Sequence, residues 1–285
     1  ITLNALVKEG RTILYITHKL EEVISICDTV TIMRNGEVID TSSTSNFTAK
    51  TLATKMLGQK LDDLKTNYDH IKDETNFEVN NISCEFNDPF LTDLKNISFK
   101  VRVGEIYGIA GVAGNGQSEL MDILTGENTN ISSGEIIFNK NKIQNFGPQK
   151  RRDLSISFVP ENRLGHSAVP ELSLSENILL SQFPKNKFLK NGIILKNNID
   201  NYANNVIKDF NVVTPGNDAK ASSLSGGNLQ KYVIGREISS SPKLLIISHP
   251  TWGIDAGAEH SIRESLIDLA KNGTSIIVIS QDLDE

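Results

Sequence analysis

The clearest chemistry in this 285-residue chain lies in one run, Gly111-Val112-Ala113-Gly114-Asn115-Gly116-Gln117-Ser118. An apolar stretch, Ile106-Tyr107-Gly108-Ile109-Ala110, leads into it and reads as a buried strand. The segment Glu119 to Leu124 follows with helical spacing. Strand, glycine-rich turn and helix together are the setting in which backbone N–H groups cradle phosphate at a helix N-terminus. The pattern G-x-x-x-x-G-K-[ST] is met from Gly111 to Ser118 at every defined position but one, because Gln117 stands where the lysine belongs. Gln117 is therefore either a neutral hydrogen-bonding stand-in or an N-terminal helix residue with no ligand.

The elements that must hold this loop follow from periodicity. Residues 1–10 read as the end of a helix closed by Gly10, with Lys8 in its last turn. Thr12–Thr17 is a β-rich apolar run ending at His18, and a helix follows from Lys19 to about Cys27 with Leu20, Val23, Ile24 and Cys27 on one face. Thr29–Met33, the Asn35-Gly36 turn and Glu37–Ile39 predict a hairpin. A short helix is expected at Ala49–Leu57, closed by Gly58. Residues 59–76 are polar and charged and read as a linker.

From Phe77 the texture changes. Alternating apolar positions at Phe77, Val79 and Ile82, then Leu94, Ile97, Phe99, Val101 and Val103, predict antiparallel strands ahead of the glycine-rich loop. Further strands are expected at Gly134–Phe138 and from Ile156 to Pro160-Glu161. Helical pieces follow at Ser173–Ser181 and Asn198–Phe210, joined by a polar loop around Pro184–Lys187. Leu224-Ser225-Gly226-Gly227-Asn228 opens a helix running to about Ser239. Leu244–Ile247 is a continuous apolar run of the kind a central parallel strand shows. The helix Ala258–Lys271, Gly273 and the strand Ser275–Ile279 complete an α/β pattern with a mostly parallel sheet.

Composition narrows the function classes. With 38% hydrophobic and 22% charged residues the chain is an ordinary globular one, and its net charge of −6 gives no electrostatic reason for a nucleic-acid partner. Lys150-Arg151-Arg152, the densest basic cluster, reads as a solvated loop. Cys27 and Cys84 suggest buried apolar residues and no disulfide framework. No apolar run approaches the length that spans a bilayer, and the first residues carry neither an initiator methionine nor a signal peptide. The chain is expected to be cytoplasmic and to begin within a longer protein.

Each motif is weak alone, but their order is not. The loop is followed by Val159-Pro160-Glu161, then Leu224-Ser225-Gly226-Gly227-Asn228-Leu229-Gln230-Lys231. Next come Ser248-His249-Pro250-Thr251, Gly253-Ile254-Asp255, and a strand ending at Ser280-Gln281-Asp282. This order resembles the ATP-binding subunit of an ABC transporter, with LSGGN as the family's signature motif. More narrowly it resembles the second nucleotide-binding domain of the tandem-domain subunits that power uptake of nucleosides and simple sugars. GVAGNGQSEL and HPTWGIDAGA point to the nucleoside branch. The resemblance implies a P-loop (RecA-like) α/β fold with an antiparallel β-subdomain and a helical subdomain. By it, residues 1–58 are the C-terminal part of a first domain, 59–76 a linker, and 77–285 a second domain truncated after its switch segment.

The resemblance also assigns roles. Gly111, Gly114, Asn115, Gly116, Gln117, Ser118 and Glu119 would bind ATP, and Ser118 would reach Mg2+. Replacing the family's lysine by Gln117 removes a charge-assisted bond worth roughly 1.5–3 kcal/mol, about one to two decades in affinity. Ser248 and His249 fall where the family places a magnesium aspartate and a glutamate that polarises water. Glu161 stands for the Q-loop glutamine and Gln281 for the switch histidine. Loss of a positioned general base costs about 10²–10⁴ in rate, so this half is expected to bind nucleotide and hydrolyse it poorly. Ser225, Gly226 and Gly227 are intact and would complete the other domain's site in a head-to-tail dimer; a helix cap by Ser225 is the plainer alternative. Asp255 resembles the D-loop aspartate, or is a cap. Tyr15–Glu22 matches the switch segment of the first domain, with His18 its histidine. Phe86 and Phe90 are the candidates for stacking on adenine, and both equally suit a core; Trp252 suits interface packing or nucleotide-independent burial equally.

The partners implied are two membrane-spanning permease subunits and an extracytoplasmic substrate-binding protein, with this subunit on the cytoplasmic face of the membrane. A degenerate regulatory nucleotide-binding module is the alternative from a non-enzyme class, and an importer of simple sugars the alternative within the class. A soluble ABC ATPase acting on ribosomes or DNA fits the acidic balance poorly.

Overall fold

A computed structural model of the chain describes residues 2–17, 19–34, 36–58, 68–182 and 188–282. The chain forms two compact units, Ile1–Lys65 with Asp255–His260, and Thr66–Ile254 with Ser261–Glu285.

In the first unit α1 spans Thr2–Lys8, and Gly10 follows at φ +84°. The run Thr12–Thr17, expected as a strand, joins no ladder among the described residues, and Leu14 and Ile16 are each 89% exposed. No strand among the described residues flanks it, and an apolar run becomes a strand only when neighbours take up its N–H and C=O groups. Helix α2 spans Leu20–Ile26 and turns Val23 inward. Strands β1 (Thr29–Arg34) and β2 (Glu37–Ser43) form the expected antiparallel hairpin, with a bulge between Ile32 and Met33. Helix α3 spans Ala49–Leu57. Thr48 opens it with a capping box, donating its N–H to Thr51 Oγ1 at 2.8 Å, and Gly58 closes it at φ +76°. Val23, Ile32 and Leu52 are the buried centre of this unit, with Leu20, Ile24, Cys27, Val30, Phe47 and Met56 packed around them.

In the second unit β3 (Thr75–Cys84) and β4 (Leu94–Arg102) pair antiparallel ahead of β5 (Ile106–Ala110), and α4 spans Gln117–Thr125. Then come β6 (Ser133–Phe138), β7 (Asn141–Lys142), α5 (Pro148–Asp153), β8 (Ile156–Val159) and α6 (Leu174–Gln182). A small hairpin, β9 (Leu189–Lys190) and β10 (Ile193–Ile194), precedes α7 (Lys196–Asp209), α8 (Gly226–Ile238) and β11 (Leu244–Ser248). Helix α9 (Ala256–Lys271) and β12 (Ser275–Ser280) follow. The polar loop expected around Pro184–Lys187 lies outside the described residues, as do 59–67.

Besides the β9–β10 hairpin, the described residues of this unit form two four-stranded sheets: a parallel one in the order β5-β12-β11-β8 and an antiparallel one in the order β4-β3-β6-β7. A single core joins them through Phe77, Val79, Leu124, Phe138, Leu244, Ile246 and Ile277. The architecture is the α/β fold with antiparallel and helical subdomains that the sequence implied. Every residue of β8 and β11 is buried, as the continuous apolar run Leu244–Ile247 leads one to expect for β11; β8 buries Ser157 as well. Strand β5 departs from expectation. It pairs with β12 alone and lies at the sheet edge, so its exposure alternates and Ile106 is 40% exposed.

The cluster Lys150-Arg151-Arg152 is no solvated loop either. It lies on α5, and Arg151 is fully buried. Its guanidinium donates to the carbonyls of Ile123 at 2.8 Å and Leu124 at 2.5 Å, which end α4, and to those of Phe146 at 2.8 Å and Ile143 at 3.2 Å. The charge is solvated by main-chain dipoles, at a cost visible in its pKa, which burial lowers to about 10.

Candidate functional site

The parallel sheet gathers the motifs at one edge. Strand pairing sets Ala110 beside Ser280, Ile279 beside Ser248, and Ile247 beside Val159. Gly111 N–H donates to Ser280 O at 3.3 Å and His249 N–H to Ile279 O at 2.9 Å. The glycine-rich loop, Ser248-His249, Ser280-Gln281 and Pro160-Glu161 thus all leave the carboxyl ends of adjacent parallel strands, where open α/β sheets place their ligand sites.

The loop itself needs glycine where its backbone turns left-handed, at Gly114 (φ +79°) and at Gly116 (φ +96°), the residue that caps α4. Gln117 folds back over the loop. Its Oε1 accepts from Asn115 N–H at 3.0 Å and its Nε2 donates to Val112 O at 2.8 Å, an oxygen that also accepts from Asn115 Nδ2 at 2.8 Å. The amide therefore occupies an N–H that an anion would otherwise take. Ser118 is exposed, whereas Glu119 is buried and turned away from the loop's mouth. Glu119 Oε1 accepts from Thr92 N–H at 2.9 Å, while Thr92 Oγ1 donates to Gly114 O at 3.0 Å. Thr92, which precedes β4, is a residue the sequence reading missed: no motif marks it, and it meets the loop only through the fold.

At the neighbouring strand ends, Ser248 and His249 are both buried. His249 sits at φ +47°, an uncommon conformation for a non-glycine residue, and its ring meets Trp252 edge-on at 5.1 Å. Glu161 and Gln281 are exposed. No group of three or more His, Cys, Asp or Glu side chains that could hold a metal occurs among the described residues. His18 lies outside the described residues.

Ser225 is the N-cap of α8, accepting from Asn228 N–H at 3.5 Å and from Asn228 Nδ2 at 3.0 Å. It is also exposed, as is Gly226. Gln230 ties the same helix to the β11 exit, its Nε2 donating to Pro250 O at 3.0 Å. Asp255 caps α9 by accepting from Gly257 and Ala258 N–H, both at 3.0 Å. Phe86 packs against the core, whereas Phe90 is 92% exposed and Trp252 55% exposed.

The sequence profile of the family described as ABC transporter matches residues 94–252, from the start of β4 through the exit of β11. The chain belongs to the ABC transporter family. Among curated members, the glucose import ATP-binding protein TsgD13 of Haloferax volcanii is 37% identical over 100% of this chain and 52% of its own length. The nucleoside import ATP-binding protein NupA of Lactococcus lactis is 38% identical over 98% of this chain and 55% of its own. This chain spans about half the length of these relatives. Among solved structures, a dimeric bacterial ABC transporter cassette aligns with a TM-score of 0.63 at 21% identity, over 73% of this chain and 89% of that one, which establishes the shared fold.

This ABC transporter chain has two further features that no motif announced. A cavity of about 160 Å³ opens beside Pro160, lined by Glu127, Arg152, Phe158, His166, Asn177 and Arg236. Behind it lies Glu237, fully buried, with Arg152 Nη1 at 2.8 Å and Arg236 Nε at 2.9 Å. Burial would raise the Glu237 pKa, but the two guanidiniums outweigh burial and hold it below the usual carboxylate value. The second feature is Arg163, two residues beyond Glu161, whose Nη2 donates to Trp252 O.

Proposed function

We propose that this chain is part of the energy-coupling, ATP-binding subunit of an importer, most of it the second of two nucleotide-binding domains. One observation carries the reading: the glycine-rich turn leads from β5 into α4 as a phosphate cradle does, while Gln117 stands where the family has its lysine and Ser248-His249 where it has its two carboxylates. Gln117 takes up the Asn115 N–H, and Ser248 and His249 end β11. In this reading Gly111, Gly114, Asn115, Gly116 and Ser118 bind the phosphates of ATP weakly. Ser118 serves Mg2+, and Glu119 holds the loop through Thr92 while facing no ligand. Phe90, the exposed aromatic, stacks on adenine.

Hydrolysis at this site is negligible. With His249 where the family has its water-polarising glutamate, the cradle can bind a nucleotide but gives the attacking water no positioned carboxylate base. Ser225, Gly226 and Gly227 serve the other domain's nucleotide, to which an exposed helix N-terminus offers N–H donors. Residues 1–58 belong to that other domain, 59–76 link the two, and His18 acts in its site.

The partners in this reading are two permease subunits and an extracytoplasmic substrate-binding protein. The cavity beside Pro160 and the exposed Glu161 loop face the permease on the cytoplasmic side of the membrane. No helix among the described residues is long and apolar enough to cross a membrane. Nucleosides are the proposed cargo, on the GVAGNGQSEL and HPTWGIDAGA stretches and the 38% identity to a nucleoside import protein. A simple sugar is the second reading, favoured by the 37% identity to a glucose import protein over the whole chain.

The test is a titration and a turnover assay on the purified chain. It should bind Mg-ATP measurably by calorimetry and release phosphate no faster than a protein-free control. Robust turnover by the chain alone would overturn the reading, and so would the absence of nucleotide binding.

A further inference from the structure

The residue that draws together the exposed signature turn and the β11 exit is one that neither motif contains. Arg163 lies in the loop between β8 and α6 and is half-buried. Its Nη2 donates to the Trp252 carbonyl, and Gly253 follows at φ +62°. A Cβ built on Gly226 would stand 2.9 Å from Arg163 Nη1, and one built on Gly253 would stand 3.6 Å from Nη2. The guanidinium therefore lies across two glycines at once, the first residue of α8 and the turn after Trp252. The absence of a side chain at Gly226 is what lets it lie there. A guanidinium is planar and rigid, so one group touching both segments sets their spacing.

We propose that Arg163 is the positioning residue of the signature surface. It holds the Ser225-Gly226 turn and the Trp252-Gly253 turn in one register, so that both reach the other domain's nucleotide together. This rests on the signature-donor reading above. Burial lowers the Arg163 pKa from its ordinary value, yet a guanidinium keeps its charge throughout the physiological range.

The experiment uses the full-length subunit assembled with its permease, measuring ATP turnover against ATP concentration for Ser225→Ala, Arg163→Ala, Arg163→Lys and Gly226→Ala. Ser225→Ala should lower kcat, which tests the signature-donor reading itself. Arg163→Ala should lower kcat by about 10–100-fold, the scale of a displacement near 1 Å, with KM for ATP unchanged. Arg163→Lys should not rescue it, because an ammonium lacks the fork that spans both turns. Gly226→Ala should reproduce the loss by pushing the guanidinium aside.

If Ser225→Ala lowers kcat while Arg163→Ala and Arg163→Lys turn over as wild type, the proposal fails and the signature-donor reading stands. If Ser225→Ala itself is unaffected, that reading fails and takes this one with it. A loss that appears in KM, or a variant that melts early and regains its kcat below its melting range, shows a merely structural role and overturns the proposal. Trp252 is the only tryptophan of this chain. In the purified chain, Arg163→Lys should shift its emission or its acrylamide quenching, and an unchanged spectrum also counts against the proposal.

Discussion

Gln117 does more at the residue scale than withhold a charge. The missing lysine costs a phosphate one cation, and the amide in its place satisfies the loop from within by taking the Asn115 N–H and the Val112 carbonyl. An incoming phosphate must displace the amide before it can use that N–H. Gln117→Lys therefore adds a charge-assisted bond and releases a donor. We expect it to tighten Mg-ATP binding by about 10–100-fold, from roughly 1.5–3 kcal/mol for a charged hydrogen bond, as read by calorimetry on the purified chain. Turnover should stay at background, because Ser248 and His249 are unchanged. Weaker binding would show that the folded-back amide supports the ligand, and recovered hydrolysis would show that those two positions matter less than their chemistry implies.

At the scale of elements, α4 is held at both ends. Gly116 opens it in a left-handed conformation and Gly126 closes it in another. A Cβ on Gly126 would stand 2.3 Å from Phe146 O and 2.7 Å from Arg151 Nε. The last carbonyls of α4 need partners from beyond the helix: Gly126 N–H reaches Ile123 O at 3.3 Å, and Arg151 on α5 donates to both Ile123 O and Leu124 O. Arg151→Ala would strand the Leu124 and Phe146 carbonyls, each costing about 1–3 kcal/mol, while Ile123 O and Ile143 O keep backbone partners. Destabilisation of at least about 2 kcal/mol is expected by denaturant unfolding, and Arg151→Lys should not restore it, because three donors on one nitrogen cannot copy the fork. A loss below about 1 kcal/mol, the size typical of substitutions away from such features, would mean that α4 does not depend on this cap. The same element carries Gln117 and Ser118, so its anchoring bears directly on the phosphate loop.

The two units among the described residues differ in the depth of their cores. One is centred on Val23, Ile32 and Leu52, and the other runs continuously through both sheets of the second unit. Opening free energies follow the buried apolar surface that must be exposed. Amides of α2, β1, β2 and α3 should therefore exchange with deuterium faster than those of β8, β11 and β12 under native conditions. Equal protection across both sets would show that the units open as one. The exposed apolar run at Leu14 and Ile16 belongs to the same scale: its side chains suit a sheet, and no strand among the described residues stands beside it.

Much of this protein is legible in its sequence because it rests on local preferences. Glycines at left-handed positions mark the phosphate loop, Ser225 marks a helix start, Gly58 a helix end, and an unbroken apolar run marks β11. Each of these is decided within a few residues by sterics, capping and periodicity. The order of the motifs was enough to indicate the family and the fold. Only the tertiary structure decided the rest. It brought Thr92 to Gly114, buried the middle member of a basic triplet under the carbonyls of α4, and placed β5 at a sheet edge. It also laid Arg163 across Gly226 beside Trp252, and chose for Gln117 the loop's own atoms as partners. These contacts depend on which segments lie side by side and which rotamer finds a partner there, and neither leaves a periodic trace in the chain.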